Sequence, residues 1–197
     1  LKLGACNGVE AQMLKVLKDS GLVATDYDQN EHGRIEIERA GIKISGRIDA
    51  KMVDDRCLEI KSINNKNSFD IKKYADGYPR ENYVGQLAIY LDATGQKEGV
   101  LFVASVDGLS WFWLRCYHVK DRVYRCMNVE VDLDKEYQRW AKIYNENVLK
   151  DIEPDPFDGY GRYKIPLDEI DWSKVSKTDI SKARNGYKVI GDPDSWK

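Results

Sequence analysis

The sequence predicts an α/β protein in which one mixed β-sheet lies between helices. Segments with apolar residues at helical spacing alternate along the chain with segments in which every second residue is apolar. These segments follow the order helix, strands, helix, strands, helix, which suits a sheet flanked by helices. One apolar run, residues 100–106 with Ser105 as its one polar member, is typical of a strand buried inside such a sheet.

Composition supports one globular domain. The chain has 197 residues, of which 42% are hydrophobic and 32% are charged. No apolar run approaches the roughly 20 residues of a membrane span, so no membrane is expected among the partners. The net charge of −2 gives no global attraction to nucleic acid and argues against a non-specific DNA-coating protein. Four cysteines without a CxxC pair argue against a zinc ribbon and for a reducing compartment, the cytoplasm.

The N-terminal elements are a helix and the first strand of a hairpin. Residues 8–20 carry an apolar stripe at helical spacing, and Gly21 ends the helix. Glu10 is expected in the first turn, where the helix dipole favours an acidic side chain. Residues 34–38 alternate as a strand, and Ala40-Gly41 turns the chain into the next one.

Two adjacent strands then carry charged side chains. Residues 42–50 alternate between apolar and polar, which predicts one strand with Asp49 on its polar side. After a tight connection at residues 53–56, a second strand sets Glu59 and Lys61 together on its polar side. If the two strands pair, the three charged groups converge. Two carboxylates beside an ammonium suit a hard cation and an anionic substrate.

A basic segment and a clear helix follow. Residues 61–80 contain five basic and two acidic residues, among them Lys72 and Lys73, and a solvated loop is the alternative reading. Residues 81–93 form an amphipathic helix. Gln86 and Tyr90 lie one turn apart on the side opposite its buried face.

The C-terminal third divides into regular and irregular parts. Strands are expected at residues 110–116 and 123–131, and a long helix at residues 133–149. Beyond Lys150 the chain is rich in proline and glycine and has no long periodicity. We therefore predict a core at residues 1–150 and an irregular C-terminal extension at residues 151–197 that packs on the core or on a partner.

These motifs together resemble a known family. ExK alone is expected by chance in charged proteins, but GxxD on an alternating strand and a QxxxY helix after a basic loop make the set specific. The resemblance covers about residues 8–150 and implies a restriction-endonuclease-like fold. The chain is similar to the PD-(D/E)XK nuclease superfamily, in the branch of the RecB nuclease domain, lambda-type exonucleases and CRISPR-associated nucleases, on Glu10, Gly46-Arg47-Ile48-Asp49, Glu59-Ile60-Lys61 and Gln86-Leu87-Ala88-Ile89-Tyr90.

The resemblance implies roles for five residues. Asp49 and Glu59 would bind Mg²⁺ or Mn²⁺ with their carboxylates, and Ile60 would add its main-chain carbonyl. Glu10 would complete a second metal position. Lys61 would position or help to deprotonate the attacking water and stabilise the charge that forms on the phosphate. The implied activity is that of a metal-dependent deoxyribonuclease.

The same resemblance implies DNA as the partner. Gln86 and Tyr90 would hold the DNA strand near the site, and Lys72 and Lys73 would contact it. The implied setting is the cytoplasm of a bacterial or phage-infected cell. Iron–sulfur members of the branch carry a closely spaced cysteine cluster after the core, and the cysteines of this chain do not form one.

We expect an exonuclease acting in recombination or DNA end-processing, and alternatives stay open. One is a non-catalytic module on the same fold that binds nucleic acid or protein. Another is a structural or regulatory protein in which the motifs are coincidental surface residues. Homo-oligomerisation and a recombination or replication partner protein also stay open, as does the choice between exonuclease and endonuclease.

Overall fold

A computed structural model describes residues 2–26, 33–63, 68–106 and 110–150. It confirms the predicted α/β class: a large mixed sheet is flanked by helices. In chain order the elements are α1 (Lys2–Asp19), β1 (Val23–Asp26), β2 (Arg34–Arg39), β3 (Ile42–Arg47), β4 (Ala50–Met52), β5 (Cys57–Ile63), α2 (Ser68–Ala75), α3 (Glu81–Thr94), β6 (Glu98–Ser105), β7 (Trp111–Lys120), β8 (Val123–Cys126), β9 (Val129–Asp132) and α4 (Leu133–Ile143).

The seven-stranded sheet has the strand order β1-β4-β5-β6-β7-β8-β9. Strands β5 and β6 are parallel, and the other neighbours are antiparallel. A parallel pair needs a crossover, which α2 and α3 provide here. Strands β2 and β3 form a separate two-stranded sheet.

Both faces of the central strands are buried. On one face, Leu17 of α1 shares an apolar cluster with Leu58 and Phe102. On the other face, Leu87 of α3 shares a cluster with Leu101. Because helices cover both sides of β6, its sequence is apolar from residue 100 to residue 104 rather than alternating.

The β2–β3 hairpin closes over the α3 side of the core. Its two-residue loop, Ala40-Gly41, has positive φ at both positions (50° and 75°), as a type I′ turn requires. Ile35, Ile37 and Ile44 pack from the hairpin against the core. Helix α3 therefore lies between the large sheet and the hairpin.

The strand predicted at residues 42–50 is wrong in one respect, because the chain breaks in the middle. Strand β3 ends at Arg47, and β4 begins at Ala50 in the other sheet. The Ile48 N–H donates to the Gly33 carbonyl at 3.0 Å, after which the chain bends at Asp49. The alternating pattern runs through the break, so it shows no sign of the change of sheet.

Other element boundaries also differ from the predictions. Helix α1 begins at Lys2, so Glu10 lies near its middle and not in its first turn. The strand predicted at residues 123–131 is the hairpin of β8 and β9, because Met127 takes a positive φ of 55° in the turn. The helix predicted at residues 133–149 ends as α4 at Ile143 and continues as a π-helical turn, Tyr144–Val148. Gly95 ends α3 in the left-handed region.

The chain divides into two units, Leu1–Lys142 and Ile143–Lys197. The second is described only at residues 143–150. The predicted extension at residues 151–197 lies outside the described residues, and its boundary stays a prediction. Among the helices that the structure describes, none is long and apolar enough to cross a membrane.

One buried carboxylate ties several elements together. Asp92 of α3 has a side chain that is only 10% exposed. It accepts hydrogen bonds from Arg39 Nε of β2 at 3.0 Å, from Arg122 Nε after β7 at 3.2 Å and from the Tyr137 hydroxyl of α4 at 3.1 Å. The hairpin, the large sheet and α4 are therefore all linked to α3 through this group.

Asp92→Ala should destabilise the protein by roughly 3 kcal/mol, because it leaves two guanidinium groups and a hydroxyl without their buried acceptor. Urea unfolding measures this loss. The matched control is Glu136→Ala, which removes an ion pair with a half-exposed Arg139 and should cost under about 1 kcal/mol. Equal losses in the two variants would contradict the role given to Asp92.

Candidate active site

The candidate site begins where β4 separates from β5. The two strands pair only at Ala50–Leu58 and Lys51–Cys57. Asp49 lies one residue before β4, and its side chain replaces the backbone pairing there: Oδ2 accepts a hydrogen bond from the Ile60 N–H at 2.7 Å. A carboxylate therefore occupies the place of a backbone partner at this edge of β5.

A second carboxylate reaches the same edge from α1. Glu10 Oε1 accepts hydrogen bonds from both the N–H and the hydroxyl of Ser62, each at 3.0 Å. Ile60 and Ser62 are two positions apart on β5, so their N–H and C=O groups point to the same edge. The Ile60 carbonyl is thus directed towards the edge that Asp49 and Glu10 line. No motif in the sequence indicates that Ser62 holds the Glu10 side chain.

Glu59 lies on the α3 face of β5 and is 0% exposed. Glu59 and Lys61 share one face of β5, and α3 packs on that face, so the polar side on which the sequence places them is largely enclosed. Lys61 forms an ion pair with Glu59 Oε1. Apart from the Lys61 ammonium at Oε1, the carboxylate has no hydrogen-bond partner among the described residues. A fully buried carboxylate in this state is costly to the fold.

The charges at the site shift one another. The pKa of Glu59 is raised from 4.5 to about 8: burial is the largest cause, the nearby Asp49 charge adds to the rise, and Lys61 acts against both. Burial also raises the pKa of Asp49, and the hydrogen bond from Ile60 opposes the rise. For Lys61, burial lowers the pKa, but its carboxylate neighbours raise it above its ordinary value. The ionised carboxylates would be stabilised by a further cation.

Gln86 and Tyr90 meet on the side of α3 that faces the hairpin. The Gln86 side-chain amide donates to the Tyr90 hydroxyl at 2.8 Å. Tyr90 is only 5% exposed, which corrects the prediction that the pair lies opposite the buried face. Burial raises the pKa of Tyr90, and the Glu59 charge adds to the rise, so the ring lies within electrostatic reach of the site.

Tyr83 belongs to the same stripe of α3, and sequence reasoning missed it. The Lys61 ammonium lies 5.9 Å from the centroid of the Tyr83 ring, and the Arg80 guanidinium lies 5.5 Å from it. Arg80 also donates to the Tyr83 hydroxyl at 3.1 Å. Tyr83 precedes Gln86 by three residues, a spacing that places both on one helix face and could have revealed it.

Gly46 permits the close approach of α3 to the hairpin. A Cβ at this position would lie 2.8 Å from Cε1 of Tyr90, closer than carbon atoms pack. The Tyr90 ring has little freedom to move aside because it is buried and its hydroxyl is held by Gln86. The glycine of the GxxD motif thus contacts the tyrosine of the QxxxY motif.

Gly46→Ala should lower the free energy of unfolding by roughly 1–3 kcal/mol through overpacking. Thermal or urea unfolding measures the change. Gly8→Ala is the matched control: no atom lies within 4 Å of an added Cβ there, and alanine favours the helix by about 1 kcal/mol. Opposite signs are expected for the two glycines, so a neutral Gly46→Ala would refute the contact with Tyr90.

Lys72 and Lys73 are exposed on α2. Their side chains are therefore accessible to a large ligand, and the predicted contact with DNA stays a prediction.

The donor set is compatible with Mg²⁺ or Mn²⁺, although it is small. Asp49, Glu59 and the Ile60 carbonyl supply the hard oxygen ligands that these cations require, and such sites commonly use one or two carboxylates and keep several waters. The buried Glu59 carboxylate, which has only Lys61 as a partner among the described residues, is what a bound cation would further stabilise. Among the described residues, however, no group of three or more His, Cys, Asp and Glu side chains is close enough to hold a metal.

Known proteins offer limited comparison. No family model and no curated protein matches the chain. Among solved structures, an alkaline exonuclease from Laribacter hongkongensis is 18% identical with a TM-score of 0.47, covering 76% of this chain and 69% of that one. A protein named SSO0001 is 16% identical with a TM-score of 0.44, covering 88% of this chain and 68% of that one. At this level of similarity, function has to be argued from the site itself.

Proposed function

We propose that the protein is a metal-dependent nuclease that hydrolyses phosphodiester bonds in DNA. The observation that carries this proposal is Glu59, a fully buried carboxylate whose one partner among the described residues is the Lys61 ammonium, with the Asp49 carboxylate close enough to raise its pKa. Burying a carboxylate with one ion-pair partner costs the fold more than an apolar side chain of similar size would. Strongly shifted ionisable groups in contact with a specific charge partner are typical of functional sites.

In the proposed reaction, the carboxylates of Asp49 and Glu59 and the carbonyl of Ile60 would hold Mg²⁺ or Mn²⁺. Glu10, fixed by Ser62, would serve a second position. A bound cation supplies polarisation of the phosphoryl oxygen and a lower pKa for water. The hydrogen bond from the Ile60 N–H orients the Asp49 carboxylate, so its free oxygen is fixed without a metal.

Lys61 would supply the positive charge of the chain itself. Its side chain is 19% exposed, so the ammonium reaches the surface of the site while remaining paired with Glu59. Contact with the Tyr83 ring restricts its position further. An ammonium held in this way can hold the attacking water and stabilise the negative charge that develops on the phosphate.

The side chains on α3 suit a role in holding the substrate. The half-buried Gln86 and Tyr83 lie on the stripe of α3 that includes Tyr90, and the exposed Lys72 and Lys73 lie on the neighbouring α2. We propose that these residues contact the DNA strand. The finer assignment, an exonuclease of bacterial or phage origin in recombination or end-processing, rests on the motif resemblance and belongs to the same proposal.

One observation favours a second candidate, a non-catalytic DNA-binding module. The described residues include no cluster of three or more metal-binding side chains. A site that cannot retain a cation would still present Lys61, Arg80 and the α2 lysines to a phosphate backbone.

A cleavage assay separates the candidates. Linear and circular DNA, single- and double-stranded, are incubated with the protein and Mg²⁺, Mn²⁺ or EDTA. Metal-dependent loss of DNA by the wild type, absent in Asp49→Asn, supports the nuclease; the asparagine keeps an acceptor for the Ile60 N–H. Binding without cleavage supports the second candidate. A requirement for linear DNA would identify an exonuclease.

A further inference from the structure

Two arginines face each other across the β2–β3 hairpin. Arg34 and Arg47 are direct cross-strand partners, so their side chains leave the same exposed face. Direct partners in an antiparallel pair have Cβ atoms about 5 Å apart, and like charges in that arrangement are destabilising. The hairpin therefore contains a pair that its own stability does not favour.

The protein neutralises this pair only weakly. Arg34 lies 3.4 Å from Glu36, but the same carboxylate forms a shorter ion pair with Lys43 at 2.8 Å. Arg47 has no ion pair with any residue in the described part of the chain. Among the described residues, Glu36 is therefore the one carboxylate that pairs with either arginine, and it also pairs with Lys43. An external anion would relieve the repulsion between the two guanidinium groups.

The pair lies at the end of the hairpin that leads into the candidate site. Arg47 precedes Asp49 by two residues, and the hydrogen bond from the Ile48 N–H to Gly33 extends the pairing to the residue before Asp49. The other end of the hairpin, with Lys43, points away along the strand.

We propose that Arg34 and Arg47 together bind one backbone phosphodiester of the DNA, next to the phosphate that is cleaved. A guanidinium is planar, remains charged at all relevant pH values and donates two parallel hydrogen bonds to phosphate oxygens. Two such groups on one face enclose a phosphate from both sides. The inference rests on the proposed function, because it names how the same site holds its substrate.

The test is a DNA-binding titration in EDTA, which prevents metal-dependent cleavage. Binding is measured by the fluorescence anisotropy of a short labelled duplex. Arg34→Gln and Arg47→Gln should each weaken binding roughly tenfold. The double variant should lose less than the product of the two, because both side chains contact one phosphate. Its slope of log K against log salt should fall by about 0.9, the value for one phosphate contact.

Lys43→Gln is the matched control, with the same charge change on the same face of the hairpin. It should weaken binding by less than about twofold, since its charge is already paired with Glu36. Equal losses of DNA affinity in Lys43→Gln and Arg47→Gln would overturn the proposed phosphate site and indicate general electrostatic attraction instead.

Protein stability gives a second test. The free energy of unfolding should not fall in either arginine variant, because each removes a repulsion. A fall would show that the two arginines do not repel each other in the folded protein.

The proposed arginine site and the proposed nuclease activity can be refuted independently. If the wild type cleaves DNA and the arginine variants bind and cleave as it does, the pair is refuted and the nuclease stands. If the wild type never cleaves but loses DNA binding with the two arginines, the pair stands and the nuclease is refuted. A wild type that binds no DNA at low salt refutes the pair.

Discussion

Glu59→Gln is expected to abolish cleavage and, at the same time, to make the metal-free protein more stable at pH 8. The substitution keeps the shape of the side chain but removes its charge. Without that charge a cation loses a ligand, so hydrolysis should fall below detection. The fold, in contrast, no longer has to bury a carboxylate charge that Lys61 alone compensates.

The pKa of Glu59 determines whether the free energy of unfolding rises or falls with pH. The pKa of Glu59 is about 8 in the folded protein against an ordinary value of 4.5. Between these values the folded state binds more protons than the unfolded state, so the free energy of unfolding falls as pH rises. Below about pH 4.5 both states are protonated and nothing is lost. At pH 8 the loss is on the order of a few kcal/mol.

Urea unfolding of wild type and Glu59→Gln across this pH range, in EDTA, measures the difference. The wild type should lose stability towards pH 8, and the variant should lose much less. Adding Mg²⁺ or Mn²⁺ at pH 8 should stabilise the wild type and leave the variant unchanged. Parallel pH profiles would show that Glu59 is satisfied in the folded protein, and the main support for the proposed site would be gone.

Lys61→Met is expected to reduce cleavage by about 10²–10³-fold, the usual cost of removing one charge or donor that stabilises a transition state. Its effect on stability should oppose that of Glu59→Gln. Burial already raises the pKa of Glu59, and removal of the ammonium takes away the main effect acting against it. Lys61→Met should therefore destabilise the protein at pH 8 by roughly 1–3 kcal/mol.

A double-mutant cycle separates the two contributions. In the double variant Glu59→Gln/Lys61→Met, position 59 carries no charge and therefore does not need the ammonium. The double variant should be more stable than Lys61→Met alone. Lys135→Met is the control, because its ion pair with Asp132 is exposed and should contribute under about 1 kcal/mol. Additive effects of the two substitutions would mean that Glu59 and Lys61 do not interact, contrary to the structure.

Most elements followed from local pattern. Helix α3 was predictable because its apolar positions recur at helical spacing and Gly95 ends it in a conformation that glycine favours. The break at Ile48–Asp49 was not predictable, because side chains alternate in the same way whether a strand continues or changes sheet. The place of Glu10 within α1 depended on a helix start that the pattern did not mark.

The candidate site divides in the same way. Spacing was enough to place Glu59 and Lys61 on one side of β5, since alternation is a property of the strand itself. The spacing does not show whether that side of β5 is exposed to solvent. Tyr90 illustrates the limit: its periodicity assigns it to the less apolar side of α3, yet the hairpin covers that side.

The sequence by itself determined which residues carry charge, which positions share a strand or helix face, and where glycine allows a turn. These are properties of a few consecutive residues. Only the tertiary structure decided that Glu59 is sealed from solvent, that Asp49 replaces a backbone partner of β5, and that Arg34 meets Arg47. Burial and pairing depend on segments far apart in the chain, so no local pattern encodes them.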